Sequence, residues 1–422
     1  MDVLLVTVGS HGDVHPFIGL GMALRARGHN VKIAVNGHFE SLVKQAGLDY
    51  VEMGTDETYR EIARNVDLFN GTKAAFALCR MLGEAVRPMY DVIVPHIVPN
   101  QTVVVASSLA LGARVAREKM NFPLASVHLA PSIFRSVEDP PAIAGGPPRI
   151  APKFIHRFVN WFGDHFVVDP SIGPRLNELR KELGLAPVKG IFRDYWHSPD
   201  CVIGMFPDWY AHSQRDWPKQ TILTGFPLFD ESGLNDLSPG VLDFLRAGEP
   251  PVVFTPGSAM WQGKHFFRAS IEACRRIHRR GILLTRHAEQ IPKNLPDGII
   301  HVPYAPFSQL LPHAAALVHH GGVGTSAQAM RAGVRQLVTP MAHDQFDNAA
   351  RMKRLGVARV LPYRKYTARH ATRELRKLIS REYGIRCHWV REWFRNERPL
   401  DETCKIIESL APEQADDAAN AA

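Results

Sequence analysis

Two stretches of this chain place side chains that could do chemistry together. In the first, residues 314–348, His319-His320 stands before Gly321-Gly322-Val323-Gly324 and then Thr325-Ser326-Ala327. Glycines let backbone approach a ligand closely, and the first turn of a helix presents unpaired amide donors at its positive dipole end. That combination seats an anion, most naturally a phosphate. A second apolar run, 336–339, ends at Pro340, and the loop beyond it carries Asp344, Gln345 and Asn348. Carboxylates and amides suit sugar hydroxyls, because they offer acceptors, or paired donors and acceptors, in a fixed plane. A phosphate seat beside a hydroxyl reader implies a nucleotide-sugar. The second stretch is Gly9-Ser10-His11-Gly12-Asp13, a polar loop between the apolar run 3–8 and a helix expected from Pro16 to about Gly28.

The same letters admit other chemistry. Gly322-Val323-Gly324-Thr325-Ser326-Ala327 fits the G-x-G-x-x-A dinucleotide fingerprint, with Asp344 about 20 residues on. Such a chain would be an NAD-dependent dehydrogenase. The fingerprint's acid, however, sits at the tip of the second strand, whereas Asp344 follows Pro340, and the paired histidines have no part in it. His319, His320, His343 and Asp344 could also ligate a metal, but adjacent side chains diverge and no tetrahedral set is evident. No metal and no cofactor are expected.

The run His-His-Gly-Gly-x-Gly-Thr followed by Asp-Gln resembles the donor-site signature of nucleotide-sugar glycosyltransferases of the two-domain GT-B fold. The likeness is to the sterol glucosyltransferases and the bacterial antibiotic glycosyltransferases. It implies an inverting, metal-independent transferase moving a hexose, first of all from UDP-glucose, to a lipophilic hydroxyl of a sterol, polyketide or phenol. By this resemblance His320, Gly322, Gly324, Thr325 and Ser258 contact the donor diphosphate. Tyr304, followed by Ala305 and Pro306, stands where the family has Trp-x-Pro and would stack on the nucleobase. Asp344 and Gln345 match the sugar-hydroxyl pair, and Gln328 stands where many members bind ribose with glutamate. The family's Gly-Ser-Arg-Gly-Asp loop is here Gly9-Ser10-His11-Gly12-Asp13, which makes Asp13 the expected general base and His11 the second candidate. A capping role at the helix start is the structural alternative for Asp13. An epimerase or hydrolase of the same fold, or a donor-binding protein without turnover, are the competing functions.

These residues need a scaffold, and the chain supplies two. At 422 residues it is long enough for two cores. Short apolar runs at 3–8, 31–35, 50–53, 102–106 and 124–128 alternate with helical stretches, as do later ones at 251–255, 281–285, 299–302, 314–318 and 336–339. Continuous apolar strands separated by helices predict α/β architecture: two Rossmann-like doubly wound domains facing across a cleft. The expected division is 1–232 for the acceptor, 233–388 for the nucleotide-sugar, a helix at 389–412 returning to the first domain, and a disordered tail at 413–422. Between them, 138–152 holds five Pro and two Gly and reads as an irregular lip or surface loop. The helical stretch 154–166 has an aromatic face, read first as core packing and second as an apolar acceptor lining.

Composition narrows the setting. No run of 18 apolar residues and no leader are evident, and five scattered cysteines read as reduced thiols, so a cytoplasmic enzyme is expected. The formal charge is +8, concentrated at 351–398, where 15 Lys or Arg face 4 Glu. That band reads first as a solvated face and, among functional uses, as peripheral contact with an anionic membrane. No nucleic-acid motif accompanies it.

Overall fold

The computed structural model describes residues 1–69, 73–258, 260 and 263–411. The segment expected to be a disordered tail, 413–422, lies outside these. Among the described residues, apolar runs pair into two parallel sheets. The first has β1 (Asp2–Val6), β2 (Asn30–Val35), β3 (Asp49–Glu52), β4 (Thr102–Ser107), β5 (Leu124–His128), β6 (Cys201–Gly204) and β7 (Thr221–Leu223), in the order β3-β2-β1-β4-β5-β6-β7. The second has β8 (Val252–Thr255), β9 (Gly281–Leu284), β10 (Ile299–Val302), β11 (Ala316–His319), β12 (Arg335–Val338) and β13 (Ala358–Val360), in the order β10-β9-β8-β11-β12-β13. Each chain of crossovers reverses direction once, between β1 and β4 and again between β8 and β11. In doubly wound sheets ligands bind beyond the carboxyl ends of strands at such points.

Strand residues such as Leu5, Val104, Phe254 and Val318 are buried, which is why these runs lack the alternation of a half-exposed sheet. Helices cover both faces of each sheet. One apolar cluster joins the halves, with Phe206, Tyr210 and Phe226 packed against Met330, Met352 and Phe394. The last helix, Pro399–Ser409, packs on the first, placing Cys404 and Ile407 in the first sheet's core. All five cysteines are buried and free. No described helix is long and apolar enough to cross a membrane.

Three local expectations differ from the structure. The first helix spans His11–Ala26, so Pro16 lies inside it and Asp13 in its first turn. Ser10 and Asp13 close that turn on each other, so the helix starts five residues before the proline. The helix after Gly322 starts at Val323, not Thr325. The aromatic stretch forms a helix at Lys153–Gly163, but its rings face outward, and the one buried residue of the helix is His156. Core packing is therefore not what that face does.

Candidate active site

At the second switch point, His319 of β11 is paired in register with Thr255 of β8. This puts the loop 256–258 beside the glycine turn. Gly257 and Gly321 have φ of +99° and +97°, and a Cβ on Gly257 would lie 2.9 Å from His320 Nδ1. A Cβ on Gly322 would lie 2.5 Å from His320 Nε2. The imidazole of His320 therefore fills a slot that only glycines leave open. Its Nδ1 is buried without a partner, and burial lowers its pKa to about 4, so the ring is neutral. His319 is a structural residue: its Nε2–H donates to Gln336 Oε1 at 3.0 Å and its Nδ1 accepts from the Gly321 amide at 3.2 Å. The two rings stand at 90°, with both nitrogens of His319 engaged, which removes the shared metal site considered from the sequence.

Gly322 is the cap of the helix Val323–Ala332, and no side chain bonds its first amides. Gly324 and Thr325 thus sit in an open first turn beside His320, an anion seat in geometry as well as in letters. Ser258 is exposed on the adjoining loop. Gln328 is buried and donates to the Leu228 carbonyl at 3.1 Å, which ties the seat helix to the interdomain segment. Ala305 belongs to the apolar core. Tyr304 donates its hydroxyl to the Asp230 carbonyl at 2.7 Å, and Arg286 lies over its ring, 4.7 Å from the centroid.

The rim is built on the helix Gln345–Leu355, with Asp344 just before it. Asp344 Oδ2 accepts from Asn348 Nδ2 at 2.7 Å, and the same amide group donates to the Gly321 carbonyl at 2.9 Å. Asn348 Oδ1 accepts from the Tyr210 hydroxyl at 3.1 Å. One buried amide thus joins the glycine turn, the rim and the first domain. Gln345 uses Oε1 to hold the Met341 and Ala342 amides, at 2.8 and 3.2 Å, leaving its NH2 group to face a ligand. Burial raises Asp344 to about 7; the Asn348 hydrogen bond opposes this, and the charge of Asp13 adds to it.

Asp13 approaches from the first domain. Its Oδ2 accepts from the Ser10 amide at 2.8 Å and the Ser10 hydroxyl at 3.2 Å. Oδ1 has no hydrogen bond to the described residues. A Cβ at Gly9, φ +130°, would lie 2.3 Å from Oδ2, so Gly9 makes room for the carboxyl. Burial raises Asp13 to about 6 against the pull of the Ser10 hydrogen bonds. It both closes the first turn and offers a half-buried carboxylate to the cleft.

Beside it runs a chain of polar groups that the sequence did not announce. His15 Nε2–H donates to Glu231 Oε1 at 2.9 Å, Arg286 Nη2 lies 3.4 Å from the same oxygen, and Arg286 Nη1 donates to His11 Nε2 at 3.1 Å. Against the upward push of burial, the His15 hydrogen bond and the charges of His15 and Arg286 hold Glu231 below the usual carboxylate range. Burial first, then His15 and Arg286, keep His11 far below the usual imidazole range and neutral. His11, His15 and Glu231 place three ligand atoms within 4.8 Å, but Arg286 already puts a cation among them.

The lip is irregular as expected, and it is tied down. Asp347 is buried; it accepts from the Ala142 amide at 3.1 Å and Arg149 at 3.0 Å, and pairs with Arg351 at 2.6 Å. Arg351 also reaches Asp139 at 2.9 Å, and Arg149 pairs with Asp139. The lip therefore bridges from the first domain to the rim helix.

Residues 3–138 match the model of the glycosyltransferase family 28 N-terminal domain, and 279–386 that of the erythromycin biosynthesis protein CIII-like C-terminal domain. Across 97% of its length the chain is 31% identical to O-mycaminosyltylonolide 6-deoxyallosyltransferase of Streptomyces fradiae, 98% of which is covered. The chain belongs to the GT-B glycosyltransferases. The vancomycin aglycone glucosyltransferase of Amycolatopsis orientalis is 30% identical over 85% of both chains. A sterol 3-beta-glucosyltransferase of Arabidopsis thaliana is 26% identical over 82% of this chain and 57% of its own. In fold this glycosyltransferase superposes on the kitacinnamycin glycotransferase with a TM-score of 0.75 at 18% identity, covering 97% and 99% of the two chains. It matches VinC, solved with DTDP, at 0.68 and 20% identity over 98% and 100%. The switch-point geometry of this glycosyltransferase thus lies within a fold shared along the whole chain.

Proposed function

We propose that this glycosyltransferase moves a hexose, with inversion, from a nucleoside-diphosphate sugar to a hydroxyl of a lipophilic acceptor. UDP-glucose is the donor first expected, and TDP-sugars are the alternative that the DTDP complex of VinC supports. Relatives that act on a macrolide intermediate, a glycopeptide aglycone and sterols support a polyketide, phenol or sterol acceptor. The single observation that carries the reading is the pair of facing sites. An uncapped helix start with an unpartnered His320 lies on one side, and the Asp13 carboxyl on the other.

In the proposed step the diphosphate rests on the first turn at Gly322, Gly324 and Thr325, with Ser258 and His320 beside it, and the sugar hydroxyls meet Asp344 and Gln345. Asp13 Oδ1 takes the proton of the acceptor hydroxyl. The acceptor oxygen bonds to the anomeric carbon as the bond to the diphosphate breaks, its electron pair leaving with the phosphate oxygen. An oriented helix start and a neighbouring imidazole stabilise that charge, and alignment across the cleft supplies the rest of the acceleration. The diphosphate would raise His320 from its low pKa in the empty seat, making it a better donor as negative charge arrives. The reading needs neither a metal nor a cofactor, and places the enzyme in the cytoplasm.

Calorimetry with UDP, TDP and NADH tests it. A diphosphate nucleotide should bind the wild type, bind His320→Ala at least about tenfold more weakly, and be unaffected by chelator. Binding of NADH alone, or unchanged nucleotide affinity in His320→Ala, would overturn the assignment. Mass spectrometry of nucleotide-sugars with pooled lipophilic alcohols then identifies the product.

A further inference from the structure

The aromatic helix Lys153–Gly163 and the turn Asp164–Val168 are inside out. Positions 154, 158, 161, 162 and 165 share one helical face, the spacing that normally turns inward. Here Phe154 and Phe158 keep 67% and 59% of their surface, and Trp161, Phe162 and Phe166 about half. The polar side is the anchored one. His156 and Asp164 are buried, Asp164 pairs with Arg135, and Arg135 and Asn160 exchange backbone hydrogen bonds at 2.9 and 3.0 Å. Those bonds fix the rotation of the helix. The exposed rings pack on one another instead, Trp161 stacked on His165 and Phe162 against Phe166 at 4.7 Å.

Charge at the rim has one sign. The only acidic residue in 150–168 is the buried Asp164, whereas Lys153 and Arg157 are exposed at the edge and Ile150, just before, is 93% exposed. Phe and Trp outward with Lys and Arg alongside is the chemistry of helices that lie in a bilayer interface. A helix of 11 residues is far too short to span, so it would lie flat. The formal charge of +8 opposes a second copy of the chain and favours an anionic surface.

We propose that this helix docks the enzyme on an anionic phospholipid bilayer, its rings at the boundary between headgroups and acyl chains. The basic segment 351–398, expected from sequence to take that role, does not form one free face. Arg351 is buried, Arg359 and Arg373 pair with Glu374, and Arg391 lies over Gly333. Its exposed tryptophans are engaged, Trp389 under Arg386 and Trp393 against Trp209. The docking face stands on the helix alone and holds whatever the transferase's donor proves to be.

The test is co-sedimentation of the full chain with vesicles of phosphatidylcholine, with and without phosphatidylglycerol, in the absence of donor. The wild type should bind the anionic vesicles. Phe158→Ser combined with Phe162→Ser should lower the partition at least about tenfold, and Arg157→Gln about fivefold on the anionic vesicles only. Because these side chains face solvent, melting temperature and turnover of a water-soluble acceptor should not change. Absence of wild-type binding, or equal binding by the double variant, overturns the proposal. A wild-type dimer that the double variant dissociates, without vesicle binding, would assign the face to a second copy. A raised acceptor KM in lipid-free solution, again without vesicle binding, would assign it to the acceptor.

Discussion

Arg286 donates to His11 across 3.1 Å, so a side chain of the second domain occupies the lone pair through which His11 would take a proton. Burial and the positive neighbours keep that imidazole neutral but make it a poor base. Asp13, two residues on, has the opposite situation: Ser10 holds one carboxylate oxygen and the other is unbonded. An oriented carboxylate with one open oxygen and a raised pKa is the better acceptor for a hydroxyl proton.

The base assignment is tested by Asp13→Asn. Asparagine can still accept from the Ser10 amide, so the first turn should survive. Loss of the proton acceptor should lower kcat by about 100- to 10,000-fold. Nucleotide affinity and melting temperature should stay near wild type. His11→Ala should cost less. If Asp13→Asn turns over at nearly the wild-type rate and His11→Ala does not, the proton goes to His11.

The raised carboxyls make two further outcomes readable against pH. As base, Asp13 must be ionised, so kcat/KM should fall as pH drops through about 6. Stability runs the other way. Asp13 and Asp344 have folded pKa values of about 6 and 7, above the ordinary 3.8. The folded form therefore holds protons that the unfolded chain has released, and the contribution present at low pH is lost as pH rises through 6 to 7. Asp344→Asn should raise the melting temperature relative to wild type above pH 7 and have less effect below 6, while raising donor KM. Differential scanning fluorimetry across that window checks the sign, and an equal shift at both ends would contradict it.

The sheets were legible because each buried parallel strand is a continuous apolar run, and the switch points followed from alternation with helices. The donor seat was legible because glycine spacing at 321–324 is itself the geometry. What sequence could not show depends on meetings between distant segments. Arg286 lies two residues past β9, but nothing local says that it reaches His11. Tyr210 and Asn348 read as unrelated until the interdomain cluster brings them together. Asp347 and Arg351 have the i, i+4 spacing of an ordinary exposed pair, yet both are buried because the lip closes over them. The aromatic face misled for a physical reason: period alone gives which residues share a side of a helix, not which side is anchored. Polar groups such as Asp164 decided that.

The lip carries the last prediction. Asp347 receives Arg149 and the Ala142 amide from the lip and Arg351 from its own helix, which also supports Asp344, Gln345 and Asn348. Breaking a buried charge cluster by removing one partner leaves the others uncompensated. Asp347→Asn should therefore destabilise the protein by about 3 kcal/mol, which denaturant unfolding would measure. Arg149→Met separates bridge from core, because it spares the Asp347–Arg351 pair and keeps an apolar stem of similar length. Its cost in stability should be small. Hydrogen exchange in the 138–152 segment should nevertheless speed up, and donor KM should rise by a few-fold at unchanged kcat, since the rim loses its brace from the first domain. Unchanged exchange and unchanged KM in Arg149→Met would show that Asp347 stabilises its own helix only, and that the lip rests on the rim without holding it.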